Sequence, residues 1–264
     1  MSDLQPMIEV RNLVAGYGSK IILHGANLSI LRGETMVILG GSGSGKSTLL
    51  RHMVGLERPI SGEILIQGVD ITHCSRAQLN EVRKSMGLSF QGSALFNSMT
   101  IADNVALALR EHTKLAESTI KVMTRIKLEQ VGLAHAEDYL PAQLSGGMKK
   151  RAAVARALAM DPEILLFDEP SAGLDPIIAA GIDDLILSLK RAFKMTIVVV
   201  THELESAFVI ADRIAVVDQG RIVAVGTAEE IRSSALPRVR QFLDRIPDPV
   251  TGDQEAFLGR LMEE

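Results

Sequence analysis

Nine residues near the start of the chain, Gly40-Gly41-Ser42-Gly43-Ser44-Gly45-Lys46-Ser47-Thr48, constrain the fold more than any other stretch. They fit the phosphate-loop pattern G-x-x-x-x-G-K-[ST] at each fixed position, Gly40, Gly45, Lys46 and Ser47. The apolar run at 35–39 suits a buried strand, and Leu49, Leu50, Met53 and Val54 recur at helical spacing. Strand, loop and helix therefore follow one another as the motif requires. Glycines let the backbone curl with its N–H groups inward, and the helix adds its positive end, which together make a cradle for polyphosphate. In such a cradle Lys46 reaches the outer phosphates and the Ser47 hydroxyl is placed to ligate Mg²⁺.

With 264 residues, the chain can bury a full core as one large or two small domains. Apolar residues make up 47% and charged residues 23%, as in ordinary globular proteins. A net charge of −4 without a basic block gives no support to nucleic acid as a partner. The single cysteine, Cys74, rules out an internal disulfide and has no zinc ligand set around it, so a reducing compartment is expected. The opening Met1-Ser2-Asp3-Leu4-Gln5-Pro6 lacks the basic start and apolar core of a signal peptide. No apolar run approaches the roughly 18 residues that span a bilayer. Work at a membrane would need other chains to do the spanning.

Strands are expected at 7–14 and 21–30, joined by a turn at Gly16-Tyr17-Gly18-Ser19. On that turn Tyr17 is either a packing residue or a surface on which an adenine ring stacks. A strand at 62–68 follows, then a helix from Arg76 to about Ser85 opened by a capping box of Ser75 and Gln78. The apolar strand at 86–91 ends on Gln91, which is either a solvated terminus or functional. From about 92 to 160 the pattern is helical, with Thr100 and Asp103 as a second capping box, and reads as a helical subdomain inserted into the sheet domain. Its last helix starts at Leu144-Ser145-Gly146-Gly147-Met148, where Ser145 is an N-cap and the glycines leave N–H groups uncovered.

Ile164-Leu165-Leu166-Phe167 precedes Asp168-Glu169, and two carboxylates at the tip of a buried strand favour a bound cation. Pro176 suits the first turn of a helix whose apolar face is Ile178, Ile182, Leu185 and Leu189. A buried strand at 195–200 ends at Thr201-His202, where the histidine is structural or catalytic. A hairpin at 213–217 and 221–225 and a short helix capped by Thr227 with Glu230 complete the pattern. Beyond Ser233 prolines break the chain, and the tail at 233–264 is a loose terminus or a docking segment.

Taken together, these elements resemble the nucleotide-binding subunit of an ABC transporter over about residues 7–232. Gly40 to Ser47 match the family's Walker A, Gln91 its Q-loop, Leu144 to Met148 its signature, and Ile164 to Glu169 its Walker B. Ser171 to Asp175 match the D-loop, His202 the switch histidine and Tyr17 the adenine-stacking aromatic. The resemblance implies an α/β fold: a P-loop NTPase sheet domain with an N-terminal antiparallel β-subdomain and the inserted helical subdomain. It implies an ATPase whose two copies face head to tail around two ATP molecules. Lys46 and the loop N–H groups would hold phosphates, and Ser47 and Asp168, helped by Gln91, would hold Mg²⁺. Glu169 would polarise the attacking water and His202 would contact the γ-phosphate. Ser145, Gly146 and Gly147 would come from the opposite copy.

The signature departs from the usual form in ending on Met148 instead of Gln, which loses amide hydrogen bonds. That form, with residues 91–100, 111–115 and 239–243, resembles the ATPases of Mla and Mce-type lipid transport systems, including those called toluene tolerance proteins. The implied function is ATP hydrolysis at the cytoplasmic face of a bacterial inner membrane, driving phospholipid movement to or from the outer one. Implied partners are a permease dimer, an Mce-domain substrate-binding protein and a small STAS-domain subunit. The alternatives are an ABC ATPase for another cargo and a soluble, non-transport ABC ATPase. A small-molecule kinase would leave Leu144 to Met148 and His202 unexplained.

Overall fold

Alternating apolar positions send the first two strands into an antiparallel pair, β1 (Pro6–Tyr17) and β2 (Lys20–Leu31), in a computed structural model that describes residues 6–247. Both strands outrun their expected ends. Pairing continues to Tyr17 opposite Lys20, so Gly16 and Tyr17 belong to the strand and the loop shrinks to Gly18-Ser19. β3 (Thr35–Leu39) leads through the phosphate loop into α1 (Lys46–Met53). β4 (Ser61–Ile66) then turns back on itself at Gln67-Gly68, both left-handed, to form an unexpected two-residue strand, β5 (Val69–Asp70). These strands make a four-stranded antiparallel sheet of order β2-β1-β4-β5.

The Ser75 and Gln78 capping box is present in both arms and opens α2 (Arg76–Lys84). β6 (Met86–Ser89) stops two residues short of Gln91, because its last paired residue is Ser89, opposite Phe167. After a loop come α3 (Ile101–His112), α4 (Glu117–Gln130), two 3₁₀ turns at Ala134–Ala136 and Pro141–Gln143, and α5 (Gly146–Ala157). Thr100 caps α3 by accepting from the Asp103 N–H, but the second arm of the box is missing. Aspartate is one carbon short of glutamate, and the Asp103 carboxylate takes the Thr100 hydroxyl and Arg110 instead.

The chain continues through β7 (Ile164–Asp168), α6 (Pro176–Phe193), β8 (Thr196–Thr201), α7 (Leu204–Ile210), β9 (Arg213–Asp218), β10 (Arg221–Thr227), α8 (Ala228–Arg232) and α9 (Pro237–Leu243). Neither α7 nor α9 is expected from the sequence. Both span seven residues without a side-chain cap, and Pro237 reads as a breaker although it occupies the first turn, where a missing N–H costs nothing. Val239 of α9 is 1% exposed, and Arg238 forms a two-bond ion pair with Asp218 at the end of β9. Residues 233–247 are thus packed, while the rest of the tail at 248–264 and the opening Met1 to Gln5 lie outside the described residues. No helix among the described residues is long and apolar enough to cross a membrane.

The second sheet has the order β10-β9-β3-β8-β7-β6, parallel except at the β10 edge. β3, β7 and β8 are buried at every position, as befits strands covered on both faces. Their alternate residues enter two separate cores. Val37, Leu39, Leu165, Phe167, Ile197 and Val199 pack with α3 to α7, whereas Met36, Ile38, Ile164, Leu166, Val198 and Val200 pack with α1 and the antiparallel sheet. The expected α/β class, with an antiparallel sheet beside the phosphate-loop sheet, is the fold observed.

The loop between β6 and α3 is held from inside. Asn104, fully buried on α3, donates to the carbonyls of Phe96, Met99 and Thr100 and accepts from the Phe96 N–H. Replacing it by alanine strands the Phe96 N–H and the Met99 carbonyl, since the Phe96 and Thr100 carbonyls keep backbone donors from Met99 and Asn104, and each stranded group costs about 1–3 kcal/mol. Urea unfolding of Asn104→Ala is therefore expected to show a lower midpoint than wild type with an unchanged slope.

Candidate active site

Most of the candidate residues gather at the carboxyl ends of β3, β7 and β8. Gly45 closes the phosphate loop at φ +106°, and a Cβ there would lie 2.8 Å from Leu23 Cδ2, so the position admits only glycine. Ser42 and Gly43 form the exposed crest of the loop and Ser44 its buried shoulder. The Ser44 carbonyl accepts from the Gly220 N–H, and Gly220 in turn accepts from the His24 N–H, which ties the loop to both sheets. Lys46 is 6% exposed, and its Nζ donates to the carbonyls of Gly40 and Gly41 at 2.9 Å each. Burial pushes its pKa down, and the facing Glu169 and Asp168 act against that shift.

Among the described residues, the N–H groups of Gly45, Lys46, Ser47 and Thr48 donate to no protein acceptor. Open amides at the positive end of a helix, beside an ammonium, fit the phosphates of a nucleotide. Tyr17 is 46% exposed and its phenol neighbours Arg51 on α1, which also pairs with Glu57 at 3.6 Å. The ring therefore stands beside the phosphate-loop helix.

Ser47 Oγ donates to Asp168 Oδ1 at 3.0 Å, which joins the loop to the end of β7. Asp168 is 9% exposed; burial raises its pKa, Ser47's hydrogen bond and the Arg51 and Lys46 charges oppose that, and Glu169 adds to it. A hydroxyl and a buried carboxylate are hard oxygen donors of the kind that suit Mg²⁺. Gln91 is not brought to them: its exposed side chain hydrogen-bonds neither Ser47 nor Asp168 among the described residues. Its carbonyl instead accepts from Lys150 Nζ.

Glu169 is buried and left-handed, with φ +50°, an unusual backbone for a residue with a side chain. Its N–H donates to the Val200 carbonyl, and its Oε2 accepts from Thr201 Oγ1 at 3.2 Å and from His202 Nδ1 at 2.9 Å. The expected acid and the expected histidine are therefore in direct contact. Next to them Ser171 Oγ donates to Glu203, and Asp175 caps α6 through the Ile177 and Ile178 N–H groups.

Ser145 and Gly146 are exposed at the start of α5, where Ser145 accepts from the Met148 N–H. Gly147 is buried under Ile178, whose Cγ2 would lie 2.5 Å from a Cβ on that glycine. This explains why Ile178 is 39% exposed instead of entering the core with Ile182, Leu185 and Leu189; it lies over the signature and Ile186 fills the core beside them. The main packing partners of α5 are β6, α3, α4 and α6, while those of α1 are β1, β2, β7 and β8. One chain thus keeps Ser145 and its own phosphate loop on separate elements. No motif marks Lys150, Arg156, Asn104 or the Thr201 hydroxyl. Lys150 and Arg156 act on backbone carbonyls 19 and 62 residues away, and Asn104 ties down carbonyls four to eight residues before it in a loop without regular structure.

Residues 23–172 match the family described as ABC transporter. The chain is 44% identical to the intermembrane phospholipid transport system ATP-binding protein MlaF of Haemophilus influenzae, over 90% of each chain. It is 43% identical to MlaF of Escherichia coli K12, over 92% of this chain and 90% of that one. A protein of Mycobacterium leprae named as a probable ribonucleotide transport ATP-binding protein, mkl, is 43% identical over 97% of this chain and 74% of its own. Among solved structures, the ATP-binding cassette MJ0796, dimeric and bound to ADP and Pi, superposes with a TM-score of 0.77 at 31% identity, over 84% of this chain and 99% of that one. CbiO1 of Clostridium perfringens, part of the transporter complex cbiONQ, gives 0.79 at 32% identity over 98% and 100%.

The buried Asp168 charge has a measurable signature. Its folded pKa lies above the reference value of 3.8, so the native state binds the extra proton and stability falls as pH rises from there through the folded value. Asp168→Asn keeps an acceptor for Ser47 and removes the charge. Without nucleotide or metal, this variant is expected to melt a few degrees higher than wild type at about pH 7, with the gain shrinking toward about pH 4.

Proposed function

Because the chain belongs to the ABC transporter family and is the ATP-hydrolysing subunit of a transporter, we propose that it drives phospholipid transport between the inner and outer membranes of a bacterium. The carrying observation is the likeness to two MlaF proteins at 43–44% identity over nine-tenths or more of this chain. The mkl proteins, at 42–43% identity, support a second cargo, a ribonucleotide, but this chain spans only 72–74% of their length. The domain reading proposed with it is an ATPase unit at 1–232, with the helical subdomain inserted at about 92–160, and a docking tail at 233–264.

In this proposal two copies close head to tail around two ATP molecules. Lys46 and the amides of residues 40–48 bind phosphates, and Tyr17 stacks on the base. Mg²⁺ would be held by Ser47 and Asp168 with Gln91 joining, and would neutralise charge on the phosphates. Glu169 takes the proton of the attacking water, and His202, already hydrogen-bonded to it, turns to the γ-phosphate. Ser145, Gly146 and Gly147 serve the other copy's nucleotide, which accounts for an open helix end set apart from the phosphate loop. The dimeric MJ0796 cassettes support this arrangement. The permease dimer docks near the loop before α3, where Phe96 is 50% exposed, and the protein sits on the cytoplasmic face of the inner membrane through that contact. An Mce-domain binding protein and a STAS-domain subunit complete the assembly.

Two measurements check the reading. Glu169→Gln is expected to bind ATP, run as a dimer in light scattering with ATP present, and lose roughly 10² to 10⁴-fold in turnover. Near-normal turnover would remove Glu169 from its role. Purification from native membranes in mild detergent, with partners and lipids identified by mass spectrometry, is expected to bring a permease, an Mce-domain protein and phospholipid; a permease with bound nucleotide and no lipid would transfer the cargo to the second reading.

A further inference from the structure

Lys150 lies outside every motif singled out in the sequence, yet its ammonium stands where three of them meet. It is on α5, five residues after Ser145, and is 7% exposed. Nζ donates to the Gln91 carbonyl at 2.6 Å and to the Glu169 carbonyl at 3.0 Å. Both carbonyls lie just past strand ends, beyond the last ladder pairs of β6 and β7. The Gln91 carbonyl has no other protein donor among the described residues, and that of Glu169 keeps only a long 3.4 Å bond from the Ala172 N–H, so removing the ammonium strips both of their short contacts.

The same helix grips the loop a second time. Arg156 Nη1 and Nη2 donate to the carbonyls of Ala94 at 2.5 Å and Ser93 at 2.9 Å. Ser93 and Ala94 are left-handed, at φ +61° and +48°, so the arginine holds a strained turn just as Lys150 holds the strained Glu169. Burial lowers the pKa of Lys150, and the nearby Glu169, Asp168 and Glu203 charges act against that. Its two hydrogen bonds end on one nitrogen, so a shift of α5 along its axis either loosens them or carries the backbone of Gln91 and Glu169 with it.

We propose that Lys150 is a positioning residue for hydrolysis, a strut by which the helix whose N-terminus serves the other copy's nucleotide sets the backbone of Gln91 and Glu169 in its own site. This rests on the head-to-tail dimer and on Glu169 as base. It goes beyond that reading by giving the two nucleotide sites a direct mechanical connection: occupancy at Ser145 and Gly146 is felt at Glu169 through a single side chain.

The test compares Lys150→Met, which keeps length and loses the donor, with Lys150→Arg, which keeps N–H donors, in the full chain. K150M is expected to lose about 10²-fold in kcat, as for an angstrom-scale misplacement, while ATP affinity stays within about twofold of wild type. K150R is expected to recover most of the loss, and the Hill coefficient for ATP is expected to fall toward one in K150M. Wild-type kcat in K150M, or a loss of ATP affinity as large as the loss of kcat, overturns the proposal. If K150M does not fold, Lys150→Gln, with a shorter amide donor, is held to the same two readings. Glu169→Gln measured alongside separates the causes: an inactive E169Q with a fully active K150M refutes the strut and leaves the base, whereas a fully active E169Q refutes both.

Discussion

Four ionisable side chains, Lys46, Lys150, Asp168 and Glu169, are buried together at the carboxyl ends of the parallel strands. An unpaired charge in such a place costs several kcal/mol, so each must be matched by polar groups whose positions are set in advance. The fold supplies them from the backbone. Gly40 and Gly41 carbonyls receive Lys46, Gln91 and Glu169 carbonyls receive Lys150, and Ser47 and Thr201 hydroxyls receive part of the carboxylate charge. Two ammonium groups facing two carboxylates leave the cluster near neutral as a whole. The directions of the shifts, Lys46 and Lys150 down and Asp168 up, show that burial still outweighs this matching. The site is therefore held ready for a charged ligand at the expense of its own stability.

Most of this was legible in the sequence where chemistry is local. The phosphate loop, the buried strands before and after it, the Asp168-Glu169 pair and the caps at Ser75, Ser145 and Thr227 depend on neighbours within a few residues, and each stands where the spacing placed it. What escaped depends on distant partners. Gly16 and Tyr17 joined a strand because Lys20 and Ile21 pair with them, β5 formed because a left-handed turn returned the chain to β4, and α9 formed over a proline because Val239 had a core to enter. The candidate site shows the same division. Glu169 and His202 were each picked out separately, but their mutual hydrogen bond follows from β7 and β8 being neighbours in the sheet. Gln91 lies where the strand order puts it, with its carbonyl engaged and its side chain in solvent.

The left-handed Glu169 joins these themes. Its positive φ turns the carboxylate back toward Thr201 and His202, and contacts on its N–H, its carbonyl and its side chain hold it there. Two elements, α5 and β8, supply those contacts, with His202 just beyond the end of β8. A residue so anchored reports on the placement of α5 against β8, which suits the base proposed above.

The alternation of the central strands carries a different consequence. Met36 and Ile38 face the phosphate-loop helix and the antiparallel sheet, while Val37 and Leu39, one position away, face α3 to α7. The sheet is thus a partition between two apolar compartments. A change of side-chain volume at odd-numbered positions of β3 falls on the helical side and one at even-numbered positions on the phosphate-loop side, so a protein engineer repacking either core has a seam to work along, bridged at the strand ends by the polar links from α5 to Gln91 and Glu169.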